Sequence, residues 1–231
     1  MKNSILRSGL SIIFILITSL AFSQIREERD LAGFSGISLA IQADLYFSQG
    51  SPAKVVIEAD EDELARIETI VSNGLLKIRC DRYRTRFRNV RIWVTLPDVE
   101  SLSLSGSGTM TAETPVNSEV LGMAVSGSGK IKIQEFNGEK LEAAISGSGD
   151  IYLGGKAGAM EVAISGSGGM NASDFQVNEC EVAISGSGSC RVDATDAIEA
   201  AISGSGRVIY FSNPVIDAKV SGSGKVKKGD K

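Results

Sequence analysis

The sequence predicts an all-β fold, a two-sheeted parallel β-helix whose coils of roughly 20 residues each turn at a Ser-Gly-Ser-Gly tetrapeptide. The tetrapeptide occurs seven times in the second half of the chain. Its copies begin at Ser105, Ser126, Ser146, Ser165, Ser185, Ser203 and Ser221, in steps of 21, 20, 19, 20, 18 and 18 residues. A fixed period with one turn signal per copy is typical of a stacked solenoid, in which each coil contacts mainly its neighbours.

The residues between the copies alternate between apolar and polar, and this alternation predicts strands. The positions one residue before each copy are Leu104, Val125, Ile145, Ile164, Ile184, Ile202 and Val220. The positions three before and five after are also apolar, whereas the positions between them are mostly Ser, Glu, Lys, Asp or Ala. Because this is the period of a strand and not of a helix, we expect two short strands per coil, joined at the tetrapeptide. Both glycines of the tetrapeptide are predicted to face inward, and the serines to face outward in columns.

The N-terminal 23 residues read as a signal peptide. Lys2 and Arg7 supply positive charge, residues 12–20 are apolar, and Ala21-Phe22-Ser23 is a small-x-small cleavage site. The apolar stretch is short for a transmembrane helix, and no other segment has the length to span a bilayer. We therefore expect an exported protein, in the periplasm, on the outer surface or secreted.

Residues 24–231 read as a single solenoid domain, with irregular coils or a cap over 24–100 and the seven repeats over 101–231. Alternating residues predict one strand over 37–47 and the last strand before Pro97 over 90–96. Residues 60–66 read as a loop or one helical turn. Ser72-Asn73-Gly74 is a hairpin turn signal between strands at 67–71 and 75–80.

The composition excludes several kinds of chemistry. The chain has no histidine, which removes Ser-His-Asp catalysis and most zinc sites, and we expect no cofactor and no metal site. The net charge of −4 becomes −6 without Lys2 and Arg7, so a nucleic-acid partner is not expected. One tryptophan and few other aromatic residues also argue against a large stacked platform for sugars.

Cys180 and Cys190 lie five residues before and five residues after Ser185, both at inward positions. One interpretation is that they fill core positions, as Met160 and Met170 do at the same offsets in the preceding coil. The other is a disulfide within the coil, which an oxidising exported compartment permits.

Three sets of residues are candidates for a site. Arg82, Arg84, Arg86 and Arg88 share one face of an extended segment and are the candidate ligand-binding residues, because guanidinium groups pair with carboxylate and phosphate. The alternative is a charged edge that prevents aggregation. The serine columns present hydroxyls for sugars, or are simply turn residues that bond their own backbone. Glu142, Glu161, Glu181 and Asp217 share one offset and form either a carboxylate site or a solvated face.

Several segments carry a family resemblance. Residues 31–39, 58–61 and 73–78 and the glycine-serine repeats resemble the bacterial family named putative auto-transporter adhesin, head GIN domain, over about residues 28 to 228. The resemblance implies a two-sheeted β-superhelix like that of pectin-lyase-type proteins, with the tetrapeptide at the tight turn between sheets. It also implies adhesion at the cell surface, and it brings no catalytic residues.

The sequence therefore indicates an exported, non-enzymatic β-solenoid for adhesion or for binding a glycan or another cell-envelope component. Two alternatives stay open. A carbohydrate-active enzyme on a pectin-lyase-like scaffold requires a groove with clustered Asp, Lys and Arg. A structural or assembly protein requires oligomers whose coils stack end to end or edge to edge.

Overall fold

The computed structural model describes residues 24–80 and 87–230 and confirms the predicted β-solenoid. The predicted signal peptide and Arg82, Arg84 and Arg86 lie outside the described residues. The strands of the N-terminal part are β1 (Ile25–Arg29), β2 (Gly36–Leu39), β3 (Asp44–Gln49), β4 (Lys54–Ala59), β5 (Ile67–Ser72), β6 (Leu75–Cys80) and β7 (Arg91–Leu96). The one helix in the described residues is α1 (Glu61–Leu64), a single turn.

The strands of the repeats follow the tetrapeptides. They are β8 (Ser101–Gly106), β9 (Thr109–Ala112), β10 (Val116–Asn117), β11 (Val120–Gly127), β12 (Lys130–Asn137), β13 (Lys140–Gly147), β14 (Asp150–Gly166), β15 (Gly169–Gly186), β16 (Ser189–Gly204), β17 (Arg207–Tyr210), β18 (Val215–Gly222) and β19 (Lys225–Lys228). The strands β14 to β16 are 16 to 18 residues long because each runs through a corner of the coil into the next coil.

Two long parallel ladders enclose the core. The first ladder runs in space through β6, β2, β8, β11 and β13, the C-terminal parts of β14, β15 and β16, and β18. The second ladder runs through β7, β3, β9 and β12, the N-terminal parts of β14, β15 and β16, and then β17 and β19. A short third ladder joins them on the far side, for example at Phe136 and Gly155.

The first coils are not stacked in the order of the sequence. The strand β2 lies between β6 and β8, so residues that follow it by almost 40 positions form the coil on its N-terminal side. The single strand predicted over 37–47 is wrong, because the chain turns a corner at residues 40–43 and forms β2 on one ladder and β3 on the other. The predicted hairpin is confirmed: β5 and β6 are antiparallel, and Asn73 and Gly74 both have positive φ.

The two ends of the solenoid differ. At the N-terminal end, β4 pairs antiparallel with β7 and β1 pairs antiparallel with β4, so the parallel ladder stops there. At the C-terminal end, β18 has β16 as its one pairing strand within residues 24–80 and 87–230, and its apolar residues Ile216 and Val220 are 37% and 43% exposed. The core between these ends is one continuous cluster of buried side chains from Phe34 to Val208.

The two glycines of each tetrapeptide differ in burial and in backbone conformation, which corrects the prediction that both face inward. Gly147, the first of its copy, is only half-buried and has φ of 112°, a conformation that residues with a side chain rarely adopt. Gly149, the second, is buried, and a Cβ there would lie 2.5 Å from Cγ1 of Val125 and 2.7 Å from the carbonyl oxygen of Gly129. A Cβ at Gly147 would also lie 2.6 Å from the carbonyl oxygen of Gly127. The first glycine therefore allows the turn, and both glycines allow neighbouring coils to stack closely.

Candidate functional site

The motif serines form exposed columns, as the sequence predicts. Ser126, Ser146 and Ser165 are paired in register across neighbouring coils, and all of them are exposed. Their backbone is bonded from coil to coil at the turn; the amide of Ser148, for example, donates to the carbonyl oxygen of Gly127 at 2.8 Å. Among residues 24–80 and 87–230, no hydroxyl of a motif serine bonds another protein group. These hydroxyls are therefore open to solvent or to a ligand.

The carboxylates predicted at one offset do share a column on the first ladder, and the column is longer than predicted. It consists of Glu142, Glu161, Glu181, Glu199 and Asp217, paired in register across five coils. Glu199 was missed, although it lies four residues before Ser203 just as Glu181 lies four before Ser185. With a strand spacing of about 4.8 Å, this is an uninterrupted row of negative charge.

The outward side of the first ladder from β11 to β18 is named the acidic face here. Its charged residues are Glu142, Glu161, Glu179, Glu181, Glu199 and Asp217 against Lys140 and Lys219. The amine of Lys140 lies 2.8 Å from Oε1 of both Glu142 and Glu161. Hydrogen bonds to Glu142 and then to Glu161 raise the pKa of Lys140. Lys140 therefore partly neutralises the N-terminal end of the carboxylate row. At the C-terminal end of the row, no ion pair forms among the described residues.

A shallow apolar groove runs beside the acidic row. Exposed alanines at the next outward position, among them Ala144, Ala163 and Ala183, form its floor together with the first serine column. Its volume is about 680 Å³, and Lys219 stands at its C-terminal end. Since the side chains are small, the groove is a long shallow channel and not an enclosed cavity.

The outward side of the second ladder from β12 to β19 is named the basic face here. Its charged residues are Lys130, Lys132, Arg191, Arg207, Lys225 and Lys227 against Asp150 and, at its edge, Asp174. A mildly acidic chain thus separates its charges onto two faces of one solenoid. This face was not predicted from the sequence. Its signal is the position six residues after the first serine of a tetrapeptide, which in four successive copies is occupied by Lys132, Tyr152, Asn171 and Arg191.

The same column continues into the N-terminal coils as an aromatic cluster. Trp93 and Tyr46 are paired in register, and their ring centroids lie 5.9 Å apart with planes at 21°. The guanidinium of Arg26 lies 4.7 Å from the centroid of the Trp93 ring, and Arg26 is itself bonded to the carboxylate of Glu58. Arg91 completes the cluster with a 2.9 Å bond to Glu58. The aromatic rings and charged groups of this cluster therefore have their partners within the cluster.

Tyr152 lies further along the column between two clefts. One, of about 680 Å³, is lined by residues that include Thr111, Lys132 and Asn171, and the other, of about 220 Å³, by residues that include Asn171 and Arg191. The side chain of Tyr152 borders both and is 38% exposed. The arrangement is a concave strip of polar groups interrupted by one exposed aromatic ring, which suits a ligand with both apolar and polar surfaces.

Of the four arginines predicted to bind a ligand, only Arg88 is described. Its side chain is exposed, and its backbone N–H donates to Oε1 of Glu63 in α1 at 2.9 Å. The neighbouring Phe87 is 3% exposed and anchors the segment in the core. Arg82, Arg84 and Arg86 lie outside the described residues, so a binding strip made of these arginines stays a prediction.

Cys180 and Cys190 are buried on opposite ladders of one coil, and the structure holds both as thiols. Burial raises the pKa of Cys180 to about 12. Burial is the larger cause that raises the pKa of Cys190, and the nearby Cys180 raises it further. Such thiols are protonated at neutral pH and are poor nucleophiles. They fill core positions, and the disulfide between them stays a prediction.

Two further findings concern the described part of the chain. No group of three or more histidine, cysteine or carboxylate side chains within residues 24–80 and 87–230 converges in a way that would hold a metal ion. In the same residues, no helix has the length and hydropathy needed to cross a membrane.

Solved structures with the same fold are known. A protein called a putative adhesin from Bacteroides fragilis superposes with a TM-score of 0.85 at 24% identity, covering 89% of this chain and 97% of that one. A protein called a putative lipid binding protein from Parabacteroides distasonis gives a TM-score of 0.74 at 24% identity, over 89% and 96%. A putative adhesin from Parabacteroides merdae gives 0.69 at 20% identity, over 89% and 96%.

No curated protein matches the chain. A family profile does match: that of the putative auto-transporter adhesin, head GIN domain, aligns with residues 33–214, which include most of both ladders, six of the seven tetrapeptide turns and the N-terminal hairpin. Because the match spans most of the sequence, the resemblance seen in the sequence is confirmed. The chain belongs to the family of the putative auto-transporter adhesin, head GIN domain.

Proposed function

We propose that the protein is an exported adhesion module that binds a glycan or another component of the cell envelope and has no enzymatic activity. The observation that carries this proposal is the pair of long outer faces, one acidic and one basic, built by in-register columns over successive coils. Each face repeats its chemistry at about 4.8 Å, which suits a polymeric or surface-bound ligand that contacts many coils at once. The solved structures that share the fold and are called adhesins agree with this role.

The absence of enzymatic activity is supported by the state of the groups that could act as catalysts. The chain has no histidine, and the buried thiols have raised pKa values. Glu142 and Glu161 are exposed on a flat face and share one lysine, whereas a paired-carboxylate hydrolase needs its two groups on either side of a bound sugar. The carbohydrate-active enzyme is therefore the less favoured alternative.

A second candidate function is lipid binding, and the apolar groove on the acidic face favours it. The groove is floored by alanine methyl groups over several coils, and an acyl chain is long, thin and apolar. The Parabacteroides distasonis protein called a putative lipid binding protein has the same fold. This candidate requires that the ligand be extractable with organic solvent.

The proposal is tested with residues 24–231 coupled to beads and mixed with bacterial envelope fragments. We expect saturable retention of fragments that excess soluble protein abolishes and that beads with heat-unfolded protein do not show. Retention that survives removal of lipid from the fragments supports the glycan or protein ligand, and retention lost with the lipid supports the second candidate. A matched variant with Arg84→Ser and Arg86→Ser tests whether the arginine segment contributes.

Two results would contradict the proposal. The first is that native and unfolded protein retain the same small amount of fragments. The second is that incubation with acidic polysaccharides generates new reducing ends or unsaturated products in proportion to the amount of protein, since that result would establish an enzyme.

A further inference from the structure

Tyr152 is the exposed aromatic ring of the basic face that has no aromatic or cationic partner among the described residues. Trp93 is covered by Arg26 on one side and stacks with Tyr46, and Phe136 and Phe175 are fully buried in the core. Tyr152 has no such contact and lies where two clefts meet. An open ring on a sheet face offers a flat apolar surface whose edge stays in contact with water.

Asn171, the ladder neighbour of Tyr152, is held in a fixed orientation. Its Oδ1 accepts a hydrogen bond from the hydroxyl of Ser173 at 3.0 Å and a longer one from the amide of Ser173 at 3.4 Å. The carboxamide plane is therefore set by the protein, and Nδ2 is left to donate to a ligand beside the ring. A fixed donor next to an aromatic surface is a preorganised site, since little side-chain entropy is lost on binding.

Cationic side chains stand on both sides of the ring. Lys132 is the other ladder neighbour of Tyr152, and Arg191 follows Asn171. At about 4.8 Å per strand, they are roughly 14 Å apart along the column. In the described residues neither Lys132 nor Arg191 forms an ion pair. Lys130 adds a third positive charge to the clefts, and Asp150 and Asp174 supply two negative charges. The two clefts beside Tyr152 therefore hold cations that an anionic ligand could pair with.

We propose that the two clefts that meet at Tyr152 together bind an oligosaccharide that carries carboxylate groups, an inference that rests on the proposed adhesion function and names its ligand class. A pyranose ring has one face of C–H groups and a rim of hydroxyls. The C–H face stacks on Tyr152, a hydroxyl accepts from Nδ2 of Asn171, and a carboxylate pairs with Lys132 or Arg191. The clefts on both sides of the ring provide space for the neighbouring sugar units.

The lining of the larger cleft beside Tyr152 disfavours a lipid ligand. Thr111, Gln134, Ser173 and Asp174 are polar, so an acyl chain lying there would face groups that need hydrogen-bond partners. The apolar groove lies on the other ladder. An extended oligosaccharide also repeats at a length close to the strand spacing, so that successive sugars meet successive coils of the basic face.

The test measures binding of residues 24–231 to fluorescently labelled oligosaccharides of alginate, pectate and hyaluronan. The matched ligands are the same oligosaccharides after reduction of their carboxyl groups, which keeps the sugar rings and removes the charge. We expect binding of at least one acidic set, weakened by raised salt, and roughly tenfold weaker binding of its reduced counterpart.

The variants separate the ring from the charges. We expect Tyr152→Ala to weaken binding by roughly tenfold and Tyr152→Phe to bind nearly as wild type, because the ring and not the hydroxyl makes the stacking surface. Lys132→Gln and Arg191→Gln should each weaken binding of the acidic set and reduce its salt dependence. The control is Lys225→Gln, which removes one positive charge from the same face outside both clefts and should leave binding unchanged. Thermal unfolding of each variant checks that it is folded.

The inference is overturned if wild-type protein binds none of the acidic oligosaccharides, binds them and their reduced counterparts equally, or binds them equally with Tyr152→Ala. Tyr152-dependent binding to phosphatidylglycerol vesicles and to none of the sugars also overturns it. These outcomes leave the bead assay unaffected, so envelope retention without oligosaccharide binding would reject the inference and keep the adhesion function. Oligosaccharide binding without envelope retention would do the reverse.

Discussion

Cys180 and Cys190 show how position in a coil decides what a side chain can do. Both have inward offsets, and both are almost completely buried between the two long ladders. In this environment the thiolate loses its solvation, so the neutral thiol is favoured and the pKa of each group rises. The cysteines are therefore part of the apolar core in the reduced protein.

This burial predicts a pH dependence of stability under reducing conditions. Below about pH 9 the thiols are protonated in both the folded and the unfolded chain, so they add no pH dependence. Between about pH 9 and 12 the unfolded chain loses the thiol proton that Cys180 keeps, and the free energy of unfolding falls by about 1 kcal/mol per pH unit for this thiol. Cys190, whose pKa is also raised by burial, adds to the fall in the same direction. Denaturant unfolding at several pH values measures this slope.

The control is Cys180→Ala/Cys190→Ala, whose curve keeps the contribution of lysine and tyrosine titration and lacks that of the thiols. Equal slopes for wild type and variant would contradict the prediction. The same pair also tests the disulfide, because oxidised wild type would lose two hydrogens in its intact mass and would lose this slope, and the variant would show neither change.

Among the structural elements, the turn at each tetrapeptide restricts which residues can occupy it more strongly than its small residues suggest. Gly147 has positive φ, and Gly149 lies against the side chain of Val125 and the backbone of the coil below. Ser148 between them is exposed, and the coil-to-coil contact of the turn is made by its amide and not by its hydroxyl. Glycine is thus required at two positions, whereas serine is one of several residues that would fit.

We predict that Gly149→Ala destabilises the protein by about 1–3 kcal/mol, because the new methyl group must displace Val125 or separate the coils. Ser148→Ala in the same turn should change stability by less than about 0.5 kcal/mol, since its hydroxyl has no protein partner. The denaturation midpoints of the two variants, compared with that of the wild type, measure these losses of stability. A Gly149→Ala midpoint equal to that of Ser148→Ala would show that the coils are not closely packed at this corner.

At the scale of the whole molecule, the two ends of the solenoid are unequal. Antiparallel strands and α1 cover the N-terminal end, and β1 places charged residues such as Arg26 and Glu28 on its last strand. Among the residues that the structure describes, the C-terminal coil pairs with one other coil, and every residue of β18 is exposed. In a stack where each coil depends on its neighbours, a coil with one neighbour has the least stabilisation.

Amide hydrogen exchange should therefore follow the stack. We expect the amides of β18 and β19 to exchange first, those of β6 and β7 under the N-terminal cap later, and those of β14 and β15 last. The reason is that β14 and β15 are paired on both sides along most of their length, whereas β18 is paired on one side. Uniform protection across all coils would mean that the solenoid opens as one cooperative unit.

The repeats were predictable because their pattern is local. The period of the tetrapeptide and the alternation around Ile145, Ile164 and Ile184 follow from backbone geometry that each coil satisfies by itself. The hairpin at Asn73 and Gly74 was predictable for the same reason, since both residues tolerate positive φ. The corner between β2 and β3 was not, because no glycine motif marks it and alternation continues through it.

The candidate site was only partly predictable. The serine columns and most of the acidic row follow from counting offsets, and the same counting would have found Glu199 and the column of Lys132, Tyr152, Asn171 and Arg191. What counting does not show is which aromatic ring is open. Trp93 is closed by Arg26, a residue 67 positions earlier in the sequence that arrives through the antiparallel pairing of β1 with β4.

Periodicity along the chain was enough to predict the fold class, the coil period, the inward columns and the division of polar residues among outward offsets. Only the folded chain shows the insertion of β2 between β6 and β8, the closed and open ends, and the covering of Trp93 by Arg26 while Tyr152 stays exposed. The physical reason is that these features depend on which coils pack against each other. Long-range burial of apolar surface sets that packing, and no local backbone preference does.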